Sequence, residues 1–223
     1  MDIVFDDIRE LYNIAWTTAT KMIMPYVHVG GAEFRPIKSE KDVEQVADGL
    51  LLLERCLAIR QIPQSYWVIG KAYMALNRYE DAEKAYVKGL ELDSKDESLL
   101  REYAYALLNM DNFKEALKIS KEAIAVNPND PGLICNLAIA HLMLGHIQEA
   151  RKAVDYALHC EPNDGINTIV KRCISNVETG KEPCPRSSQD FDSLCKRCAG
   201  FEKIDAVKAK ELGLPIPTEG NLF

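Results

Sequence analysis

From Pro63 to Asp164 one arrangement of residue types is written three times at a spacing of 34. Tyr66, Ile69, Gly70, Tyr73, Tyr79, Ala82, Tyr86 and Gly89 form the first copy. A step of 34 leads to Leu100, Tyr103, Ala104, Leu107, Phe113, Ala116, Ser120 and Ala123, and a second step to Ile134, Leu137, Ala138, His141, Ile147, Ala150, Val154 and Ala157. The same step carries Pro128 to Pro162. A period held over 102 residues makes each copy one supersecondary unit that cannot bury its apolar face alone, so the copies must stack.

Within a copy, small residues recur where two helices would cross: Gly70 and Ala82, Ala104 and Ala116, Ala138 and Ala150. Small against large lets neighbouring backbones approach. Breaks between the two apolar runs fall at Asn77, at Asp111-Asn112 and at Gly145, residue types that tolerate a left-handed turn. Helix starts are marked by Asp130-Pro131 and by Ser94 with Glu97 in capping-box spacing.

The period and residue types together resemble the tetratricopeptide repeat family. Tyr66-x2-Ile69-Gly70-x2-Tyr73 with Ala82-x3-Tyr86 fits its pattern, with Tyr in place of the usual Trp and Ile in place of the usual Leu; Ser120 and His141 are the clearest departures. The resemblance implies an all-α fold, a right-handed α-solenoid of antiparallel helix pairs, with repeats at 63–96, 97–130 and 131–164. It also implies a non-catalytic adaptor that holds a partner protein or peptide on the concave face lined by the first helix of each repeat. Carried over by position, that groove is lined by Trp67, Lys71 and Met74, by Arg101, Tyr105, Leu108 and Asn109, and by Asn136, Ile139, Leu142 and Met143. Family members that grip the acidic C-terminus of heat-shock chaperones do so with a clamp of Lys, Asn, Asn, Lys and Arg. The corresponding places here hold Trp67, Lys71, Glu102, Gly132 and Asn136, so the resemblance does not extend to that clamp.

The flanks read as accessories to the array. Residues 1–62 form an N-terminal helical cap: an amphipathic helix over 3–24 (Ile8, Leu11, Tyr12, Ala15, Trp16, Ala19, Met22, Ile23), a loop over 27–39, and a second helix over about 40–60 opened by Ser39 and Asp42. The first helix is expected to cover the first repeat; the alternative use of its stripe is a homodimer. Residues 165–180 make a solvating helix ended by Gly180. Residues 181–223 form a cysteine-containing appendage, with short helices expected at about 189–199 and 201–212 and a tail holding Pro215 and Pro217. It has too few apolar residues for a core of its own and is expected on the array.

Charge narrows the partner class. The chain carries −7, and the three repeats alone −5, from 11 Lys and Arg against 16 Asp and Glu. Phosphate binding needs concentrated Lys and Arg, which disfavours nucleic acid. No run of 18 apolar residues suggests a membrane span, and Asp2, Asp6 and Asp7 stand where a secretion signal would be basic. With seven cysteines, an odd number, the expectation is a reduced, cytoplasmic protein.

Reactive chemistry has few candidates. Cys195 and Cys198 form one Cys-x-x-Cys, and with Cys173 and Cys184 they could supply four thiolates to zinc, or a redox pair. A lone pair of this kind is weak, and free thiols are the plainer reading. His141 falls at a packing position, His28 and His146 in loops or turns and His159 beside Cys160, so the four histidines are not expected to assemble into a metal site, and no phosphate loop, nucleophile elbow or HExxH is present. No cofactor is expected. The alternatives to an adaptor are an acidic chaperone for a secreted apolar client, and a zinc- or redox-active protein using the C-terminal cysteines.

Overall fold

The computed structural model describes residues 2–27 and 35–200, with side chains from Asp7 onward. All regular structure among the described residues is helical, and the chain divides into two compact units, Met1–Ala106 and Leu107–Phe223. The helix expected at about 201–212, the proline tail and most of the 27–39 loop lie outside the described residues.

The first unit holds α1 (Asp2–Ile23), a 3-10 turn (Met24–Tyr26), α2 (Glu40–Ile59), α3 (Pro63–Ala75), α4 (Tyr79–Leu92) and most of α5 (Glu97–Asn109). Ser39 caps α2 in a reciprocal box: its side chain accepts from the Asp42 N–H, and the Asp42 carboxylate accepts from the Ser39 N–H at 3.0 Å. Tyr12, Ala19 and Ile23 of α1 are buried, and the Trp16 indole donates to Ser65 Oγ at 3.1 Å, which pins α1 to α3. Only one side of α1 is used: Ile8, Leu11 and Ile14 are exposed. Ile23, Tyr26, Val46, Leu53, Val68 and Ala72 sit at the centre of this core.

Between α3 and α4 the chain turns through Asn77 at φ 55, and the crossing above it is made by Gly70. A Cβ built on Gly70 would stand 2.1 Å from the Tyr86 ring, so the aromatic ring lies in the space a side chain would need. The start of α5 differs from the sequence reading. Asp96, not Ser94, takes the Leu99 N–H at 3.0 Å, because helix 5 begins at Glu97 and its cap is the residue just before it.

The second unit holds the last turn of α5, α6 (Phe113–Val126), α7 (Pro131–Met143), α8 (Ile147–Cys160), α9 (Gly165–Glu178) and α10 (Ser188–Ala199). Asp130 caps α7 and Asp164 caps α9, each accepting the N–H three residues on. Asp111 at φ 59 and Gly145 at φ 76 make the two turns that sequence assigned to them, and Gly180 at φ 71 follows α9. Ala138, Ala150, Val154, Ala157, Val170 and Ile174 are fully buried. Helix α10 packs against α9, with Phe191, Leu194, Cys195 and Cys198 turned inward.

Candidate functional site

On the first unit, Trp67, Lys71 and Met74 recur at i, i+4 and i+7 and so share a face of α3. Lys71 Nζ reaches across to Glu102 Oε2 at 2.9 Å, with both side chains about nine-tenths buried. This ion pair ties α3 to α5, where Arg101 and Tyr105, four residues apart, share a face of the helix. The Lys71 ammonium stands 5.9 Å from the Trp67 ring centroid, and Arg101 Nε lies 3.9 Å from Glu102 Oε1. Trp67, Met74, Arg101 and Tyr105 are each partly exposed, giving a patch of two aromatics, a thioether and a guanidinium around a neutralised pair. The indole N–H of Trp67 is buried and makes no hydrogen bond. Glu102 as the partner of Lys71 was not legible in the sequence, since i and i+31 across a repeat boundary carry no periodic signal.

On the second unit the equivalent positions are less accessible. Leu108, Asn136, Ile139, Leu142 and Met143 are buried, and Asn109 is partly so. Part of the reason is the chain itself. The segment after α9 runs past the C-terminal ends of α7 and α5: Cys184 Sγ donates to the Leu142 carbonyl at 3.4 Å, and Ser188 N–H donates to Asp111 Oδ1 at 2.6 Å. Ser188 Oγ also donates to the Asn109 carbonyl. A cleft of about 560 Å³ is left between Met143, Leu144 and Gly145 on one side and Pro183, Cys184, Asp190 and Leu194 on the other. Appendage residues therefore lie against the carbonyl ends of α5 and α7, beside the expected groove residues Asn109, Leu142 and Met143.

The cysteines only partly assemble. Cys173 Sγ lies 3.6 Å from Cys195 Sγ, and Asn176 donates to Cys198 Sγ at 3.4 Å. Cys184 is engaged with Leu142 instead, and among the described residues no three His, Cys, Asp or Glu side chains are grouped to hold a metal ion. The hydrogen bond with Cys195 and then burial push the Cys173 thiol far up, and burial with Cys173 beside it pushes Cys198 up to about 12. Neither is a thiolate at neutral pH, and a thiol is a poor nucleophile. The two cysteines of the Cys-x-x-Cys each face Cys173, which sequence spacing alone did not suggest.

The histidines did not read as a group, yet two of them meet. His141 at the end of α7 and His146 before α8 bring their Nδ1 atoms to 3.4 Å. Burial, then His146 and Lys121, hold the His141 imidazole below its ordinary value.

Comparison with known proteins agrees with this architecture. A model described as YpiA-like, C-terminal tetratricopeptide repeats matches residues 63–130, and a second, described as tetratricopeptide repeat, matches 107–167. No curated protein sequence matches. Among solved structures, the first TPR domain of human RPAP3 is 25% identical with a TM-score of 0.52, covering 54% of this chain and 94% of its own. The first TPR of Spaghetti (RPAP3) bound to the HSP90 peptide SRMEEVD is also 25% identical, with a TM-score of 0.51, covering 52% and 93%. MamA from Desulfovibrio magneticus RS-1 covers more, 87% of this chain and 94% of its own at a TM-score of 0.61, but at 15% identity it speaks only to the fold. Residues 63–167 thus match tetratricopeptide repeat models, and over that stretch the chain is built of repeats of this kind.

Proposed function

We propose that this protein is a non-catalytic, cytoplasmic adaptor that captures a peptide segment of a partner protein on the α3–α5 face of its first unit. The observation that carries this reading is that Trp67, Met74 and Tyr105 are partly exposed on α3 and α5, the two helices that the Lys71–Glu102 pair joins. Aromatic anchors with a polar orienting group beside them are the usual basis of peptide capture. The relative bound to SRMEEVD makes a peptide ligand the natural class, but an acidic tail of that kind fits this chain poorly. Lys71 is already neutralised by Glu102, and the repeats carry a net −5, from 11 basic against 16 acidic side chains. A neutral or basic apolar segment suits the patch better. An open chaperone groove is less favoured, since Leu108, Ile139, Leu142 and Met143 are buried.

The test is site-specific photo-cross-linking from position 105 in cells, followed by mass spectrometry, with Met74→Glu as the control variant. A discrete cross-linked protein lost on Met74→Glu is the expected result. Equal capture by Met74→Glu removes this face as the binding site.

A second reading, a homodimer through α1, is favoured by the exposure of Leu11 at 65% and of Ile14 at 56%. Light scattering of the wild type against Leu11→Lys distinguishes it: a monomeric mass for both eliminates the dimer.

A further inference from the structure

The turn between the two helices of a repeat has the same backbone closure in each copy. Arg78 N–H donates to the Tyr73 carbonyl at 2.8 Å, Asn112 N–H to the Leu107 carbonyl at 2.9 Å, and His146 N–H to the His141 carbonyl at 2.9 Å. The closure spans five residues around a left-handed position, Asn77, Asp111 or Gly145. In the first and third copies the side chains at its two ends also meet. In the first copy the Arg78 guanidinium stacks 4.7 Å from the Tyr73 ring centroid. In the third copy the same two places hold imidazoles, 5.6 Å apart between ring centres and tilted by 55°.

We propose that His141 and His146 form a binding site for a divalent late first-row metal ion, zinc being the representative case. Two nitrogens bonded at zinc's usual distance and a tetrahedral angle stand about 3.4 Å apart, and the two Nδ1 atoms are 3.4 Å apart before any ion is present. Two neutral imidazoles facing each other through Nδ1 share one proton between them. The ion takes that proton's place as the ring that carried it changes tautomer, losing a proton from Nδ1 to solvent and taking one up at Nε2, so no net proton is released; a small turn of each ring then aims both Nδ1 lone pairs at the ion, with both Nε2–H groups facing outward. His146 is exposed and His141 half-buried, so an ion can enter without unfolding. The charged groups whose fields reach His141 are Glu149, which favours a cation, and Lys121, which opposes it. Because no third donor is grouped with the pair among the described residues, water completes the shell. This is an open chelate, with the ligand preference of imidazole for zinc, nickel and copper. Its effect on the fold is to clamp the end of α7 to the start of α8.

The test is titration of the full chain with zinc chloride, followed by NMR of the imidazole protons and by equilibrium dialysis. The His141 and His146 signals move together and saturate while His159 stays in place. His146→Ala, a change at an exposed position, weakens this binding at least tenfold, as does His141→Ala, while Cys198→Ser leaves it within twofold. The proposal is overturned if the His146→Ala affinity stays within twofold of wild type, if Cys198→Ser removes the binding, or if neither imidazole moves up to millimolar zinc.

Discussion

At the scale of single residues the first repeat depends on one complementary pair. Gly70 leaves the space that the Tyr86 ring fills, and the ring is rigid, so Gly70→Ala must displace it. Overpacking of this kind costs about 1–3 kcal/mol, and urea unfolding followed by circular dichroism should show that loss. The Tyr86 hydroxyl is itself buried without a hydrogen-bond partner, and burial holds its pKa well above the ordinary phenol value. Removing it in Tyr86→Phe relieves an unmet desolvation cost, so the expected change is between zero and a gain of about 1 kcal/mol. A clear destabilisation of Tyr86→Phe would mean that the hydroxyl has found a partner. The Lys71–Glu102 pair behaves in the opposite way. Glu102→Leu strands a buried ammonium and is expected to cost about 3 kcal/mol, while Lys71→Met combined with Glu102→Leu recovers most of it. The same urea midpoints measure both, and additive losses would show that the two charges do not interact.

At the scale of elements, caps and turns decide where each helix stops, and these were the most legible features of the chain. Asn77, Asp111 and Gly145 were readable as turn positions because few residue types accept a positive φ, and all three adopt one. The reading of Ser94 as a cap failed because two capping patterns overlap there, and Asp96 lies one residue before the helix. The α2 cap offers a pH test. Hydrogen bonds from the Lys38 N–H, then from Ser39, hold the Asp42 carboxyl below the ordinary aspartate value. A lowered carboxyl pKa favours the folded state only when ionised. Its contribution is complete above about pH 4 and disappears as pH falls through the lower, folded-state value. Asp42→Asn should therefore be less stable than wild type at pH 7 and nearly equal to it at pH 2, measured by thermal unfolding at both. That the appendage forms a helix near 189–199 and lies on the array was legible, but the particular contacts that seat α10 were not, for a different reason. Contacts such as Ser188 with Asp111 join residues 77 apart through single polar groups, and no period announces them. The groove positions could be carried over from the repeat register, but the burial of Leu108, Asn136, Ile139, Leu142 and Met143 could not be read from it.

At the scale of the whole molecule, the appendage gives the second unit apolar burial that its repeats alone would lack. Phe191, Leu194, Cys195 and Cys198 are buried, and Cys173 and Ile174 of α9 are buried with them. Arg172 donates to the Cys198 carbonyl, and Arg197 pairs with Glu182 at 2.9 Å, which closes the appendage on itself and on α9. Each large apolar side chain withdrawn from water contributes about 1.5–3 kcal/mol, so removing residues 181–223 should cost several kcal/mol. The loss falls on α7 and α9, which the appendage touches, because stacked repeats are stabilised mainly by their nearest neighbours. Hydrogen exchange should then show weakened protection in α9 and at the end of α7, with α3 and α4 unchanged, and a hydrophobic dye should bind the truncated chain. If the truncated protein instead captured the same cross-linked partner more strongly, Leu142 and Met143 would be part of a surface that the chain normally keeps for itself. Unchanged protection and no dye binding would mean that the contacts at Leu142, Asp111 and Asn109 carry no net stability.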